Sequence, residues 1–169
     1  MKILATFDGT KFSESIMPRL EQIAHLPNAE FTLLSVAHEP DAKLRRRGRP
    51  RPIAVRDAMG RGTPVVLHEI DATYAEDKTQ AIERRISEME DYLSELAHRL
   101  PQGTSCHIEA HVSDNAAQEI IDRAREEQVD VIVMATHSRG PLAQVLFGST
   151  TEQVVRSGVA PVLLVHPTE

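Results

Sequence analysis

Residues Ala135 to Val155 read ATHSRGPLAQVLFGSTTEQVV. An apolar run stops at His137, a Ser138-Arg139-Gly140-Pro141 turn follows, and Gly148-Ser149-Thr150 opens a new periodic segment. Backbone amides in a small-residue loop or at a helix start are unpaired and, with the helix dipole, favour an anion. Ala135, Ser138, Gly140, Gly148 and Ser149 are small enough to let a phosphate approach such amides, and the Ser149 and Thr150 hydroxyls can donate directly. A competing reading needs no ligand: Ser149-Thr150-Thr151-Glu152 has the pattern of a helix capping box. Asp8 ends the run KILATFD just before Gly9-Thr10, which suits either a turn or cap acid or a ligand-binding carboxylate.

The remaining reactive side chains form no set. His137 has no acid or nucleophile assigned to orient it and reads as a structural loop residue. Cys106, His107 and His111 lie on an alternating segment, apart from any further cluster, so no metal site is expected. No catalytic constellation emerges.

These residues need a scaffold, and composition limits its kind. The chain has 169 residues, 41% hydrophobic and 26% charged, with four Phe, two Tyr and no Trp, which suits one domain with an aliphatic core. A single cysteine forms no internal disulfide, and MKILATFDGT holds no stretch long enough for a signal peptide or membrane span. A cytoplasmic setting is therefore expected. Net charge is −6, and the acid lies in the second half: residues 1–75 carry 11 basic and 9 acidic groups, residues 76–169 carry 8 and 16. That balance argues against nucleic acid along the whole domain. One basic patch stands out, KLRRRGRPRP, with Lys43, Arg45, Arg46, Arg47, Arg49 and Arg51. A solvated loop is its favoured reading, and the absence of interleaved aromatics leaves it a weak nucleic-acid candidate.

Periodicity supplies the elements. KILATFD is a first strand, and KFSESIMPRLEQIAHL a helix through Phe12, Ile16, Leu20 and Ile23, with a kink expected at Pro18. Phe31 to Ala37 is a second strand. About Pro40 to Thr73 shows no sustained period and reads as an irregular Arg/Pro-rich insertion, spanning about residues 39–75 within a single domain of residues 1–169. From near Glu76, Ile82, Ile86, Met89, Leu93, Leu96 and Leu100 make one stripe on a long helix. SCHIEAHV alternates like an edge strand. Asp114 or Asn115 caps the next helix, VDVIVMATH suits a central parallel strand, and a helix from about Ser149 leads to APVLLVHP, a final buried strand. The fold class is α/β: a doubly wound, five-stranded, mostly parallel sheet with helices on both faces and an expected order of 3-2-1-4-5. Ligands bind such sheets beyond the carboxyl ends of the strands, where strand order reverses, so Asp8 and the Ala135 loop should meet there.

The spacing Ala135-Thr136-His137-Ser138, nine residues, Gly148-Ser149 resembles the nucleotide-loop signature of the universal stress protein family: Gly-x-x-Gly, nine residues, Gly-Ser/Thr. ILATFDGTKFSES, VDVIVMATH and APVLLV are similar to the family's first, fourth and last strands. The resemblance covers the chain except about residues 39–75. It departs at Ala135 and Ser138, which replace the first two glycines, and Ser138 matters more if that position needs positive φ or close phosphate approach. The resemblance implies bound ATP or AMP, with or without Mg²⁺. By position, Asp8 and Val36 would touch adenine or ribose, Thr6 and Met134 would line the same pocket, and Ala135, Thr136, Ser138, Gly148, Ser149 and Thr150 would hold ribose and phosphates.

The resemblance thus implies a stress-response regulator, against alternatives of a nucleotide-free dimeric interaction module or a slow ATPase or phosphotransfer activity assisted by His137. No Gly-x-x-x-x-Gly-Lys-Ser/Thr loop is present, so rapid hydrolysis is not expected. The apolar PVLLV strand would be a sticky edge in a monomer, and a homodimer through this C-terminal strand would cover it, which also matches the family.

Overall fold

Strand side chains alternate between faces, so a strand apolar at every position must be covered on both. The computed structural model describes residues 1–39, 53–56, 62–65, 78–136 and 148–166, and its strands behave accordingly. In chain order they are β1 (Lys2–Phe7), β2 (Glu30–Ala37), β3 (Ile53–Arg56), β4 (Gly62–Val65), β5 (Ser105–Val112), β6 (Val131–Ala135) and β7 (Val162–Val165). The helices are α1 (Met17–Ile23), α2 (Lys78–Ala97), α3 (Ala116–Glu127) and α4 (Ser149–Ser157).

Five strands form one sheet in the order β5-β2-β1-β6-β7, with every neighbouring pair parallel. Counted in chain order within that sheet, this is the expected 3-2-1-4-5. Ile3, Ala5 and Phe7 of β1 join Phe31, Leu33 and Val133 on one face of the sheet, against Ile16, Met17 and Leu20 and against Leu93, Leu96 and Leu100. Leu4 faces the opposite way, with Leu34, Ile132 and Met134, against Ile120 and Ala124 of α3 and Val154 of α4. Helices therefore cover both faces.

Three local expectations change. Pro18 lies in the first turn of α1, after a short 3₁₀ turn over Ser13–Ile16, where no internal hydrogen bond is lost. As the second residue of α1 it sits where the helix is starting and does not kink it, since first-turn amides have no partner within their own helix. APVLLVHP is not buried: β7 is an edge strand, and Leu163 is 40% exposed. Within the stretch read as an irregular insertion, β3 and β4 pair antiparallel from Ile53↔Val65 to Arg56↔Gly62. Consecutive Ile53, Ala54 and Val55 are compatible with such a strand without any longer period. The Arg-rich run over 43–51 lies outside the described residues. SCHIEAHV does form the other edge, β5, and Asn115 caps α3 by accepting from the Gln118 amide at 3.1 Å.

Candidate functional site

The β1–β6 ladder runs from Ile3↔Val131 to Ala5↔Val133, although β1 continues to Phe7 and β6 to Ala135. Thr6, Phe7, Met134 and Ala135 lie past the end of that pairing. These neighbouring strands carry their following helices to opposite faces of the sheet, and a cleft of about 750 Å³ opens at their carboxyl ends. This is the switch point of a doubly wound sheet, and the volume suits a small organic ligand.

Thr6, Asp8, Val36, Met134, Ala135, Gly148, Ser149 and Thr150 all line that cleft, though they come from four separate elements or their ends. Thr136 does not line it. The Thr136 amide donates to the Val165 carbonyl at 3.0 Å, extending the β6–β7 ladder, and its hydroxyl is buried without a partner. Ser138 and His137 lie outside the described residues.

At the end of β1 the chain turns through Gly9, whose φ of +78° is strained for any residue with a Cβ. The turn is tied down by Asp8, whose Oδ1 accepts from the Thr10 amide at 2.9 Å and the Thr10 hydroxyl at 2.6 Å. The Asp8 amide donates to Ser13 Oγ at 3.3 Å. Burial pushes the Asp8 carboxyl up, but hydrogen bonds from the Thr10 and Ser13 side chains and from backbone amides outweigh it and hold it below its ordinary value. An ionised acid therefore stands in the cleft at neutral pH, with Oδ1 taking both Thr10 contacts.

The opposite rim is the start of α4. Gly148 is the N-cap, with φ −56° and ψ 154°, and no side chain caps the helix. Ser149 is thus the first helical residue, and Glu152 pairs with Arg156 at 2.8 Å. The capping box is not formed. Gly148 adopts a conformation open to any residue, and a Cβ there would meet none of the described residues within 4 Å. Neither backbone strain nor packing against the described residues asks for glycine. Together with the outward amides of the first turn, this leaves an anion-sized approach over small side chains.

The remaining wall was missed by sequence reasoning. Arg85, Glu88, Met89 and Tyr92 of α2 line the cleft at i, i+3, i+4 and i+7. Met89 belongs to the apolar stripe, but its polar neighbours look like any solvated helix face in sequence. Ser35, buried at the end of β2, donates to Met89 Sδ at 3.5 Å, a weak acceptor. The Tyr92 ring packs edge-on against Phe7, with centroids 6.5 Å apart. Its hydroxyl is buried and meets no partner at hydrogen-bond geometry among the described residues, although Ser13 Oγ, which donates to the Thr10 carbonyl at 2.8 Å, stands close enough to act on the phenol. Burial, with Glu14 and Asp8 nearby, pushes the Tyr92 phenol above its ordinary value. Phe12, Leu34 and Ile120 make the cleft partly apolar.

Away from the cleft, burial pushes the Cys106 thiol up to about 11, so it stays protonated and unreactive at neutral pH. His111 of β5 lies between Glu109 at 3.7 Å and Glu119 at 3.3 Å. Arg123 also pairs with Glu109, at 2.6 Å, joining α3 to the edge strand.

Parallel topology, a crevice at the switch point and a small-residue helix start define a doubly wound α/β protein with an anion-compatible cleft. The sequence model of the Universal stress protein family matches residues 53–166, and the chain belongs to that family. Stress response protein NhaX of Bacillus subtilis is 25% identical over 166 residues, covering 97% of this chain and 96% of that protein. Universal stress protein MJ0577 of Methanocaldococcus jannaschii is 42% identical over 48 residues, which span 28% of this chain and 30% of that protein. The solved structure of MJ0577 matches with a TM-score of 0.62 at 24% identity, covering 99% of this chain and 96% of that one. A universal stress protein solved in complex with cAMP matches with a TM-score of 0.58 at 17% identity, covering 99% and 98%. At these identities the structural likeness establishes the fold.

Proposed function

We propose that this chain is a cytoplasmic stress-response regulator that binds ATP or AMP, with or without Mg²⁺, in the cleft at the switch point and changes partner or conformation with occupancy. The observation that carries this reading is the start of α4: a glycine N-cap with no side-chain cap, no described residue within reach of its Cβ position, and an ionised Asp8 in the same cleft. A residue with no side chain, at a position free of strain, suits a ligand that must come close to the backbone amides. On this reading Asp8 Oδ2 accepts from ribose, Thr6, Val36 and Met134 surround the base, and Ala135, Gly148, Ser149 and Thr150 hold phosphate. Thr136, with its amide committed to β7, acts by anchoring the loop. The cAMP complex of a protein of the same fold supports an adenine nucleotide as the ligand class.

The reading treats residues 1–169 as one domain and β7 as the seam of a homodimer, because its open edge carries exposed Leu163 beside exposed Val155 of α4. No helix among the described residues is long and apolar enough to cross a membrane.

Isothermal titration with ATP and AMP, each with and without Mg²⁺, tests the assignment beside a Gly148→Asp control. Saturable binding lost in the control is the expected result. Absence of binding up to millimolar nucleotide would leave the nucleotide-free interaction module as the better account.

A further inference from the structure

Every residue assigned to the ligand so far comes from a strand end or the start of α4. Helix α2 presents a fourth wall, and its charges are unevenly balanced. Glu88 Oε1 is held by Arg84 at 2.7 Å, while Arg85 reaches Glu88 Oε2 only at 3.6 Å. Two guanidinium groups thus share one carboxylate, and the shorter contact belongs to Arg84, which does not line the cleft. Arg85 does line it and is half exposed, so its charge is only loosely compensated and its side chain can move at low cost.

The charge within the cleft gives Arg85 a role. Among the described lining residues, Asp8 and Glu88 are acidic, and Arg85 and His38 are the basic side chains. His38 is highly exposed and reaches Asp114 only at 4.0 Å. A polyanionic ligand entering this space meets two carboxylates, whose repulsion must be offset. The α4 dipole offsets it on one rim, and a guanidinium, with its planar fork of donors, suits phosphate oxygens on the other.

We propose that Arg85 is a phosphate-binding residue contributed by α2, which exchanges its loose contact with Glu88 for the ligand's phosphate and so favours phosphorylated adenosine over adenosine itself. Glu88 is then a competitor: it holds Arg85 while the cleft is empty and repels the incoming anion. This inference rests on the nucleotide reading of the cleft.

Opposite effects of two neutralising substitutions separate this role from a structural one. The full chain, with Arg85→Gln, Arg85→Lys and Glu88→Gln, is titrated with ATP, AMP and adenosine, and thermal melts confirm that these exposed positions leave folding intact. Arg85→Gln should weaken ATP about tenfold, the size of one charge-assisted hydrogen bond, and leave adenosine unchanged. Arg85→Lys should recover part of the loss, and Glu88→Gln should tighten ATP about threefold. Equal effects of Arg85→Gln on ATP and adenosine, or no effect on either, overturn the role of Arg85 while nucleotide binding itself stands. A wild-type chain that binds neither ATP nor AMP overturns the nucleotide reading, and this inference with it.

Discussion

Glu152 reaches forward along α4 to Arg156, 2.8 Å away, and not back to the start of its own helix. The first turn is left with Gly148 as N-cap, and among the described residues no side chain caps it. Serine caps a helix better than glycine by a few tenths of a kcal/mol. Gly148→Ser, at a position where a Cβ meets none of the described residues, should therefore raise the melting temperature by about 1 °C while it weakens ATP binding. Parallel thermal melts and titrations check both signs. A variant that is stabilised and still binds normally would show that phosphate does not use this approach.

Asp8 gives a pH signature. Its carboxyl is held below the ordinary value of 3.8 by the Thr10 and Ser13 hydrogen bonds, against the upward pull of burial. A carboxyl depressed in the folded state contributes stability that is complete above its unfolded value and is lost as pH falls through its folded value. Wild type should exceed Asp8→Asn in stability at pH 6, and the gap should close below about pH 4, followed by denaturant unfolding at each pH. A gap constant from pH 6 to pH 2 would mean that the Thr10 bonds do not depend on the charge.

Periodicity reveals the parts of this fold that bury apolar surface. The Val131 to Ala135 run is apolar throughout because β6 is central and covered on both faces, and Met89, Leu93 and Leu96 repeat because α2 must cover one of them. The cleft was legible where it coincides with strand ends and the loop spacing. Arg85 and Tyr92 were not, since polar residues beside a core stripe look alike whether they face water or a ligand site. The cap was misassigned for a related reason: Ser-x-x-Glu permits a box at Ser149 but does not fix the frame, and the helix begins one residue earlier. The commitment of the Thr136 amide to Val165 depends on β7 lying beside β6, which no local pattern specifies.

Tyr92 carries a buried hydroxyl with no partner at hydrogen-bond geometry among the described residues, Ser13 being its nearest polar neighbour. Desolvation of such a group costs about 1–3 kcal/mol with nothing returned, so its removal should help the empty protein. Tyr92→Phe keeps the ring contact with Phe7 and should leave stability unchanged or raise it by about 1 kcal/mol, a rise of roughly 2–4 °C in melting temperature. A loss greater than about 1 kcal/mol would show that the phenol has a partner in solution.

Leu163 lies 40% exposed on β7, an edge strand, and Val155 of α4 is 39% exposed. In a monomer a charged residue at so open a position changes stability by no more than about 0.5 kcal/mol. In a homodimer sealed along this strand it would bring two like charges into an apolar seam, where desolvation and repulsion both oppose association. Leu163→Glu should therefore convert a dimer into a stable monomer with an unchanged circular dichroism spectrum, read by sedimentation at micromolar concentration. If wild type already sediments as a monomer, the seam is not β7. If the variant remains dimeric, self-association uses a different surface, with the second open edge, β5, next to be tested.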